Sequence, residues 1–428
     1  MPNINPNRLQ TRYSVAVIGG GQAGLSMSYY LQKDHIDHIV IEKSELMNAW
    51  QDKRWDSFTL VTPNWQCQLP GHPYSGDDPH GFMNKSQILD YLEQFSSKVD
   101  APVITNTEVT KLSEGDKGYK LETSSGTIYA DQVVIASGSY PLPIIPKMAK
   151  KIPPHIQQIH SEQYKNSKQL NDGAVLVVGS GQSGAQIAED LHLDGKQVFL
   201  ATGDSPRCAR FYRGKDVVQW LHDMDYYKMP VDQHPLREGV RDNSNHYVTG
   251  RDGGRDIDLR HFANQGMELF GLLNDFSGDA FHFEPNLTQN LDNADQTYNN
   301  INKKIDAFID KNKLDAPNAP PYNAVWKPKQ ERQILSLSES GITSIVWCIG
   351  FQPDFTWVDI NIFDTRGYPQ HKRGITPYKG LYFIGLPWLH TWGSARFSGI
   401  DNDVKYVHSI INTVMKKYGS CTSSFKTA

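Results

Sequence analysis

A strand, a glycine-rich turn and the start of a helix follow one another in Val15–Leu31, VAVIGGGQAGLSMSYYL. In this GxGxxG spacing, Gly19 permits a tight turn, Gly21 leaves room for a pyrophosphate, and Gly24 lets the helix lie close to the sheet. The free N–H groups and the positive end of the helix dipole then favour a phosphate. Glu42 ends the next apolar strand, where a carboxylate can bind both ribose hydroxyls. This stretch therefore predicts a dinucleotide site.

A second stretch with the same spacing, VLVVGSGQSGAQIAEDL, occupies Val175–Leu191, 160 residues after the first. Its three glycines are Gly179, Gly181 and Gly184. We call these two stretches the first cradle and the second cradle. Two cradles in one chain predict two bound dinucleotides, and a flavin paired with a nicotinamide is the common reason for an enzyme to hold both.

The composition and charge of the chain narrow the classes of protein to which it can belong. The 428 residues suit two or three domains, and 43 Lys and Arg against 47 Asp and Glu, with no basic block, disfavour nucleic acid as a partner. Cys67, Cys208, Cys348 and Cys421 form no CxxC pair, so neither a disulfide framework, a dithiol centre nor a metal site is predicted. The polar first residues and the lack of an apolar run of about 18 residues predict a cytoplasmic protein without a membrane partner.

The rest of the chain is predicted to consist of further strands and helices, interrupted by two irregular regions. An aromatic and polar loop, Lys43–Pro70, follows the ribose acid. The polar region Gln219–Asn323 is interpreted as a decoration of the nicotinamide domain that also frames the substrate entrance. The predicted elements are a helix over Lys85–Phe95, strands over Val103–Val109, Tyr119–Thr123, Thr127–Tyr129, Gln132–Ala136 and Gln197–Ala201, helical pieces over Leu259–Leu273 and Asn300–Lys311, strands over Ser344–Ile349 and Gly380–Ile384, and a helix that follows Gly393–Asp403 and reaches about Tyr418.

Several motifs distributed over nearly the whole chain occur together in one known family. They are NAWQDKRWDSFTLVTP and CQLPG after the first cradle, AxG at 136–138, HSEQYK at 160–165, GSGQSG in the second cradle and CIGFQPDF at 348–355. With these motifs the chain resembles the class B flavin-dependent monooxygenases, which include the flavin-containing monooxygenases, the plant YUCCA type and a bacterial flavoprotein group. Pro154 and Ile156 stand where the family fingerprint has Phe-x-Gly, so only its HSxxY half is present. This departure argues against the Baeyer–Villiger branch.

The resemblance implies an α/β fold with two Rossmann-like dinucleotide-binding domains, one for FAD and one for NAD(P), the second inserted in the first. The expected limits are 1–160 for the first part of the FAD-binding domain, 161–330 for the NAD(P)-binding domain and 331–428 for the last part of the FAD-binding domain. It also implies that reduced flavin and O2 form a C4a-(hydro)peroxyflavin, which transfers one oxygen atom to a nitrogen- or sulfur-containing or indole-like small molecule. A homodimer is left open.

The residues expected at the cofactors lie in the two cradles, near the ribose acid, and at the ends of later strands and helices. They are Gly19, Gly21, Gln22, Ala23, Gly24, Glu42, Lys43, Trp50, Thr62, Val109, Ala136, Gly138, Gly179, Gly181, Gln182, Ser183, Gly184, Ser205, Arg207, Arg210, Gly350, Ser398, Gly399 and Ile400. For catalysis, the resemblance points to Asn64 as a contact of the reacting oxygen, with Arg54 and Trp55 beside it. Four tryptophans are either walls of a dry pocket or ordinary core residues: Trp50, Trp55, Trp388 and Trp392.

Two features of the sequence after the second cradle oppose each other in the choice of nicotinamide coenzyme. Asp204 is placed to bind the ribose hydroxyls of NADH and to repel a 2′-phosphate. Arg207 and Arg210, with Ser205 beside them, can bind a 2′-phosphate through charge-assisted hydrogen bonds. Because two such contacts should outweigh one carboxylate that can rotate into solvent, the sequence predicts NADPH, with measurable use of NADH.

Three other functions share parts of this pattern. A disulfide reductase of the thioredoxin reductase type has both cradles but needs a redox-active cysteine pair, which the sequence lacks. An NAD(P)H oxidase or diaphorase needs the same two nucleotides and no additional motif. A nucleotide sensor would bind the same cofactors without turnover.

Overall fold

Two sheets of mainly parallel strands form the framework of the protein in the computed structural model, which describes residues 11–139 and 141–418. In chain order, the strands are β1 (Arg12–Ile18), β2 (His38–Ile41), β3 (Gln68–Leu69), β4 (His72–Pro73), β5 (Val103–Ile104), β6 (Val109–Glu114), β7 (Tyr119–Thr123), β8 (Gly126–Ile135), β9 (Leu142–Pro143), β10 (Gln157–His160), β11 (Ala174–Val178), β12 (Val198–Ala201), β13 (Phe211–Tyr212), β14 (Lys215–Asp216), β15 (Glu268–Phe270), β16 (Leu273–Ser277), β17 (Ala280–Phe283), β18 (Ile334–Ser336), β19 (Ile342–Trp347), β20 (Phe351–Gln352) and β21 (Leu381–Phe383). The α-helices are α1 (Gln22–Lys33), α2 (Asn48–Gln51), α3 (Lys85–Val99), α4 (Gln182–Leu193), α5 (Val217–Asp223), α6 (Leu259–Asn264), α7 (Leu287–Asn312), α8 (Leu337–Ser340) and α9 (Ile400–Tyr418).

The first sheet has the strand order β5-β2-β1-β8-β7-β6, and β21 also pairs with β8. Its strands β5, β2, β1, β8 and β21 are parallel, whereas β6 and β7 pair antiparallel. The apolar side chains of β1 are buried on both faces, because each face of the sheet carries its own apolar cluster. One of these clusters contains side chains of α1, α3 and α9.

The second sheet has the order β10-β19-β11-β12-β15, and all of its strands are parallel. Helix α4 connects β11 to β12 in the same way that α1 connects β1 to β2. The chain leaves the first sheet after β8, builds the second sheet, and rejoins the first at β21. This topology confirms the α/β fold class with two Rossmann-like units predicted from the repeated cradles.

The second sheet extends beyond the limits of 161–330 predicted for its domain. Strand β10 precedes residue 161 and strand β19 follows residue 330, yet both belong to the second sheet. The predicted limits left residues 157–160, where no strand was predicted, and the strand predicted over 344–349 in the FAD-binding domain. A short apolar run does not reveal the sheet in which it pairs.

The polar region contains an integral part of the second sheet, which corrects its interpretation as a decoration only. The single helical piece predicted over 259–273 was wrong: α6 ends at Asn264, and β15 and the start of β16 follow. Gly266, with φ of +105°, takes the left-handed conformation directly after this helix. Leu269 and Phe270 are buried in β15 because this strand pairs with β12.

Most of the other predicted elements are present, and β7 has the predicted bounds. The single strand predicted over 103–109 was wrong, because β5 ends at Ile104, β6 begins at Val109, and the two strands lie at opposite ends of the first sheet. The helical piece predicted over 300–311 is the end of the longer helix α7, and the strands predicted over 127–129 and 132–136 form the single strand β8. Within the two described ranges, no helix is both long enough and apolar enough to cross a membrane.

Candidate functional site

The glycines of the first cradle bring helix α1 against the end of strand β1. A Cβ atom on Gly24 would lie 1.8 Å from the carbonyl oxygen of Gly19, so only glycine permits this approach. Gly19 has φ of +111°, and its N–H donates to the Ile41 carbonyl (2.8 Å). In contrast, a Cβ atom on Gly21 would meet nothing within 4 Å. The open space therefore lies over the first turn of α1, where a pyrophosphate would receive N–H groups and the positive end of the helix dipole.

The ribose acid lies directly beside this turn. The Glu42 carboxylate accepts hydrogen bonds from the Gly20 N–H (2.7 Å) and the Ser44 N–H (2.9 Å). The neighbouring Lys43 is exposed. Val109 belongs to the same end of the sheet, because the N–H of Thr107, two residues earlier, donates to the Glu42 carbonyl (2.9 Å).

Residues far apart in sequence close the first cradle. Gln22 Nε2 donates to the Ala395 carbonyl (3.2 Å), and Trp50 Nε1 donates to Gln22 Oε1 (3.5 Å). The Trp50 ring stacks on Phe397 with ring centroids 5.3 Å apart. These contacts join the start of α1, the loop after β2 and the segment before α9. Four further predicted residues lie here. Ala23 and Ile400 are buried, and Ser398 is half-buried. Gly399 packs against Gly393, since a Cβ atom on Gly399 would lie 2.4 Å from the Gly393 carbonyl carbon.

The end of β8 forms the floor of the turn. The Ala136 carbonyl oxygen lies 2.5 Å from the position that a Cβ atom on Gly19 would occupy. Gly138 follows with φ of +78°, a conformation that turns the chain away from the sheet. The structure thus places both residues at the first cradle.

The second cradle reproduces the same geometry. A Cβ atom on Gly184 would lie 1.8 Å from the carbonyl oxygen of Gly179, and the Gly179 N–H donates to the Ala201 carbonyl (2.9 Å). A Cβ atom on Gly181 would meet only Ser205 Oγ, at 4.0 Å. The space for a second pyrophosphate therefore lies over the first turn of α4, whose residue Ser183 is half-buried. Gln182 Nε2 donates to the Val248 carbonyl (2.7 Å), which fixes this turn to the polar region.

The two cradles differ at the end of the second strand. Thr202 stands 160 residues after Glu42, but it is buried and its hydroxyl donates to the Phe270 carbonyl (2.7 Å). The nearby acid is the exposed Asp204, which accepts a hydrogen bond from Asn293 Nδ2 of α7 (3.1 Å).

Arg207 is buried in a cluster of acidic and aromatic side chains, contrary to its predicted role as a free phosphate ligand. It is 2% exposed and pairs with Asp295 (2.9 Å) and Asp258 (3.6 Å). Its guanidinium lies between the rings of Tyr298 and Tyr322, at 4.6 and 4.0 Å from their centroids. The whole guanidinium is therefore enclosed by the protein itself.

Arg210 is enclosed in the same way, so the predicted phosphate-binding pair is not available at the surface. It is 1% exposed, and its guanidinium donates to Asp216 (2.7 Å) and to the Val61 carbonyl (2.7 Å). The second bond holds the loop next to the half-buried Thr62. For Arg207, the sequence could not reveal this arrangement, because its carboxylate partners Asp258 and Asp295 are far along the chain.

The three residues predicted for catalysis have different surroundings. The Asn64 side chain is 3% exposed, and it donates to the Asp78 carbonyl (2.9 Å) and accepts from the Met83 N–H (2.7 Å). This side chain therefore holds a loop, and its contact with the reacting oxygen stays a prediction. Trp55 is buried in the apolar cluster of the second sheet. The guanidinium of Arg54 lies over the Trp50 ring at 5.2 Å, and Trp50 in turn contacts Gln22 of the first cradle.

The HSxxY motif and Gly350 meet at the junction of the two units. His160 Nε2 donates to the Gly350 carbonyl (3.1 Å), and Gly350 has φ of +91°. Burial lowers the pKa of His160, although this hydrogen bond opposes the shift. The ring is therefore predominantly neutral at neutral pH.

A group of charged residues at this junction was missed in the sequence. Glu189 and Asp190 are both buried on α4, and they pair with Arg255 (2.8 Å) and Arg251 (2.7 Å). Burial raises the pKa of Glu189 to about 7, despite the opposing charges of these arginines. A small cavity lies against Glu189, lined by Trp55, Ser57, Thr59, Gln186, Glu189, Thr249 and Arg251. The sequence held one signal of this group: the second cradle has two acids at Glu189 and Asp190, whereas the matching positions of the first cradle are Tyr29 and Tyr30.

The cysteines of the described ranges do not form a dithiol. Cys67, Cys208 and Cys348 are free and buried, and burial raises the pKa of Cys67 and of Cys208 to about 12. Such thiols are poor nucleophiles at neutral pH. Cys421 lies outside the described residues.

Comparisons with known proteins agree with this architecture. The family model described as pyridine nucleotide-disulphide oxidoreductase matches residues 16–227. The chain is 31% identical over 412 residues to an uncharacterized CzcO-like oxidoreductase of Geobacillus kaustophilus, covering 94% of this chain and 100% of that one. It is 29% identical over 211 residues to the indole-3-pyruvate monooxygenase YUCCA6 of Arabidopsis thaliana, covering 47% and 50%. The fold matches a flavin-containing monooxygenase from Stenotrophomonas maltophilia with a TM-score of 0.64 at 16% identity, covering 95% and 99%.

Proposed function

The chain belongs to the class B flavin-dependent monooxygenase family, and we propose that it transfers one oxygen atom from O2 to a soft nucleophilic small molecule. It is an oxidoreductase whose cofactors are FAD and a nicotinamide nucleotide. The observation that carries the proposal is the duplicated cradle, in which a Cβ atom on Gly24 or on Gly184 would lie 1.8 Å from a carbonyl oxygen of the turn before it. We assign FAD to the first cradle, since Glu42, Trp50 and the segment before α9 close around it.

The bound flavin supplies the redox and oxygen chemistry, and the protein positions the reactants and limits the access of water. Aromatic side chains of the polar region serve this second purpose. Tyr227 packs on Trp392 with ring centroids 4.2 Å apart, and the Val231 N–H donates to the His390 carbonyl (2.7 Å). Trp388 lies in the same cluster and has φ of +51°, an unusual conformation for a bulky residue. We propose that the substrate approaches the flavin beside this cluster.

For the coenzyme, the arrangement of charges favours NADH over the NADPH predicted from the sequence. Arg207 and Arg210 are already neutralised by carboxylates. The ribose end of the second cradle instead presents the exposed Asp204, whereas Asp292 and Asp295 of α7 are paired with Arg260. A 2′-phosphate would meet the negative charge of Asp204 there, with none of these three arginines free to offset it.

The coenzyme proposal is tested by binding and by kinetics. Wild-type protein should bind 5′-AMP more tightly than 2′,5′-ADP in calorimetry and should show the larger kcat/KM with NADH. Asp204→Asn should strengthen 2′,5′-ADP binding about fivefold, since one exposed charge near a phosphate is worth about 1 kcal/mol. Asp194→Asn, an exposed change at the end of α4, is the control. A selective rise in KM for NADPH in Arg207→Met would overturn the proposal and restore the sequence prediction.

Replacing one glycine in each cradle tests the cofactor assignment. Gly21 and Gly181 have ordinary φ values of −73° and −65°, so valine changes the space and not the backbone conformation. Gly21→Val should purify without flavin absorbance. Gly181→Val should keep FAD and be reduced by dithionite but not by NADH. Stoichiometric FAD in Gly21→Val, or reduction of Gly181→Val by NADH at the wild-type rate, would contradict the assignment.

Oxygen transfer is tested under air with NADH and panels of amines, sulfides and indoles. A substrate should give an oxygenated product and lower the release of hydrogen peroxide per NADH consumed. Peroxide equal to NADH consumption with every compound would identify an oxidase, and no NADH consumption would identify a sensor.

Three assignments remain predictions. We propose that the inserted NAD(P)-binding domain runs from about β10 to β19, as their membership of the second sheet suggests. Sedimentation equilibrium tests the homodimer, and cell fractionation tests the cytoplasmic location.

A further inference from the structure

One buried carboxylate on α4 joins three segments of the chain. Asp190 is 4% exposed, and both of its oxygens accept hydrogen bonds. Its Oδ1 accepts from Ser57 Oγ (2.5 Å) and from Arg251 Nη1 (2.7 Å), and its Oδ2 accepts from the Tyr164 hydroxyl (2.7 Å). We call these four residues the Asp190 cluster. Charge-assisted bonds of this kind are the strong ones in a buried setting.

The three donors come from different parts of the fold. Ser57 lies in the loop after β2 and α2, and thus in the unit of the first cradle. Tyr164 lies between β10 and β11, and Arg251 lies in the polar region. Asp190 itself lies on the helix that begins at the second cradle. A single carboxylate therefore ties the first unit to the helix over which the second nucleotide would lie.

The loop that carries Ser57 also reaches the first cradle. Trp50 of this loop contacts Gln22 and Phe397, as described above. Beside Ser57, the Asp56 N–H donates to the Lys165 carbonyl (2.9 Å) and thereby anchors the loop to the HSxxY segment. A displacement of the loop at Ser57 would therefore be transmitted to the wall of the first cradle.

We propose that Asp190 is a positioning residue that sets the relative placement of the two cradles for hydride transfer. The proposal rests on the proposed function and adds a residue that touches neither cofactor site directly. The reduction that it serves moves a hydride, with its two electrons, from the nicotinamide to the flavin, so that the nicotinamide is oxidised and the flavin is reduced. This step depends steeply on distance, because misplacement of the reactants by about 1 Å can slow a reaction about 100-fold.

The test compares wild-type protein with Asp190→Asn. Asparagine keeps the volume but removes the charge and replaces one acceptor by an N–H donor that faces hydroxyl or guanidinium donors. We expect full FAD content and less than about a threefold change in the Kd for NADH. Anaerobic stopped-flow should show flavin reduction slowed about 10- to 100-fold at saturating NADH. Hydrogen exchange at the Asp56 amide should accelerate, which reports the loosened contact independently of turnover.

Smaller changes keep the test decisive if Asp190→Asn is poorly folded. Ser57→Ala and Tyr164→Phe each remove one donor, and each should slow flavin reduction by a smaller factor with FAD content unchanged. Asp194→Asn, exposed at the end of the same helix, should reduce at the wild-type rate.

The outcomes separate this inference from the proposed function. If NADH reduces the wild-type flavin, and Asp190→Asn, Ser57→Ala and Tyr164→Phe are reduced with the same rate constant as wild type, the positioning role of Asp190 is overturned and the proposed function stands. A wild-type protein that binds no FAD, or whose FAD is not reduced by NADH or NADPH, would overturn the proposed function. An equal loss of FAD and of reduction rate in the three variants would assign the cluster to folding and also overturn the inference.

Discussion

Replacing Asn64 by alanine distinguishes the structural role of this side chain from the catalytic role predicted from the sequence. The side chain holds the 78–83 loop through the Asp78 carbonyl and the Met83 N–H. In Asn64→Ala, the Met83 N–H would be left buried without a partner, at about 1–3 kcal/mol. Asp78 is exposed, so water can replace the hydrogen bond that its carbonyl loses. The loss of this bond should therefore lower the free energy of unfolding by only about 1 kcal/mol. The free energy of unfolding should therefore fall by about 2–4 kcal/mol.

The assay is urea unfolding followed by tryptophan fluorescence, together with turnover per bound flavin. Asn64→Asp is a second variant: it keeps an acceptor for the Met83 N–H but places a buried carboxylate oxygen against the Asp78 carbonyl. It should be destabilised at least as much as Asn64→Ala, and both variants should keep the wild-type ratio of oxygenated product to peroxide. Unchanged unfolding combined with a rise in peroxide release would refute this reasoning and show that Asn64 acts on the oxygen.

Three further predictions follow from individual contacts. Gly24→Ala should lose FAD and unfold at lower urea, because its Cβ atom would lie 1.8 Å from the Gly19 carbonyl oxygen; unchanged flavin content would contradict this. Burial raises the pKa of Glu189 from 4.5 to about 7, so the folded state binds the proton more tightly than the unfolded state does. The free energy of unfolding of the wild-type protein should therefore fall as the pH rises from about 4.5 to 7, by about 3 kcal/mol at most. Glu189→Gln should lack this decline when urea midpoints are measured between pH 5 and 8. Arg207→Met should destabilise the protein by about 1.5–3 kcal/mol because it removes the charge-assisted contact with Asp295, which keeps its pair with Arg260, and equal unfolding midpoints would show that the arginine is not structural.

The sequence alone determined the two cradles and their relation to the sheets. Gly19 and Gly24 could be interpreted locally, because a positive φ angle and a contact closer than a Cβ atom allows leave glycine as the suitable residue. The repeat at a constant spacing of 160 residues then predicted that the same geometry occurs twice, as the structure shows. The apolar strands and the amphipathic helix α3 were likewise visible, since their periodicity depends only on neighbouring residues.

Only the tertiary structure decided the roles of the charged and polar side chains. Arg207 is a phosphate ligand or a buried ion pair depending on whether Asp295, on α7, folds against it. Trp55 and Asp190 were likewise assigned by contacts between segments more than 100 residues apart. Periodicity reports which face of an element is buried, but it carries no information on which distant segment covers that face. The burial of a charge is therefore a property of the assembled fold, and the surroundings of Arg207, Arg210 and Asn64 followed from packing rather than from spacing.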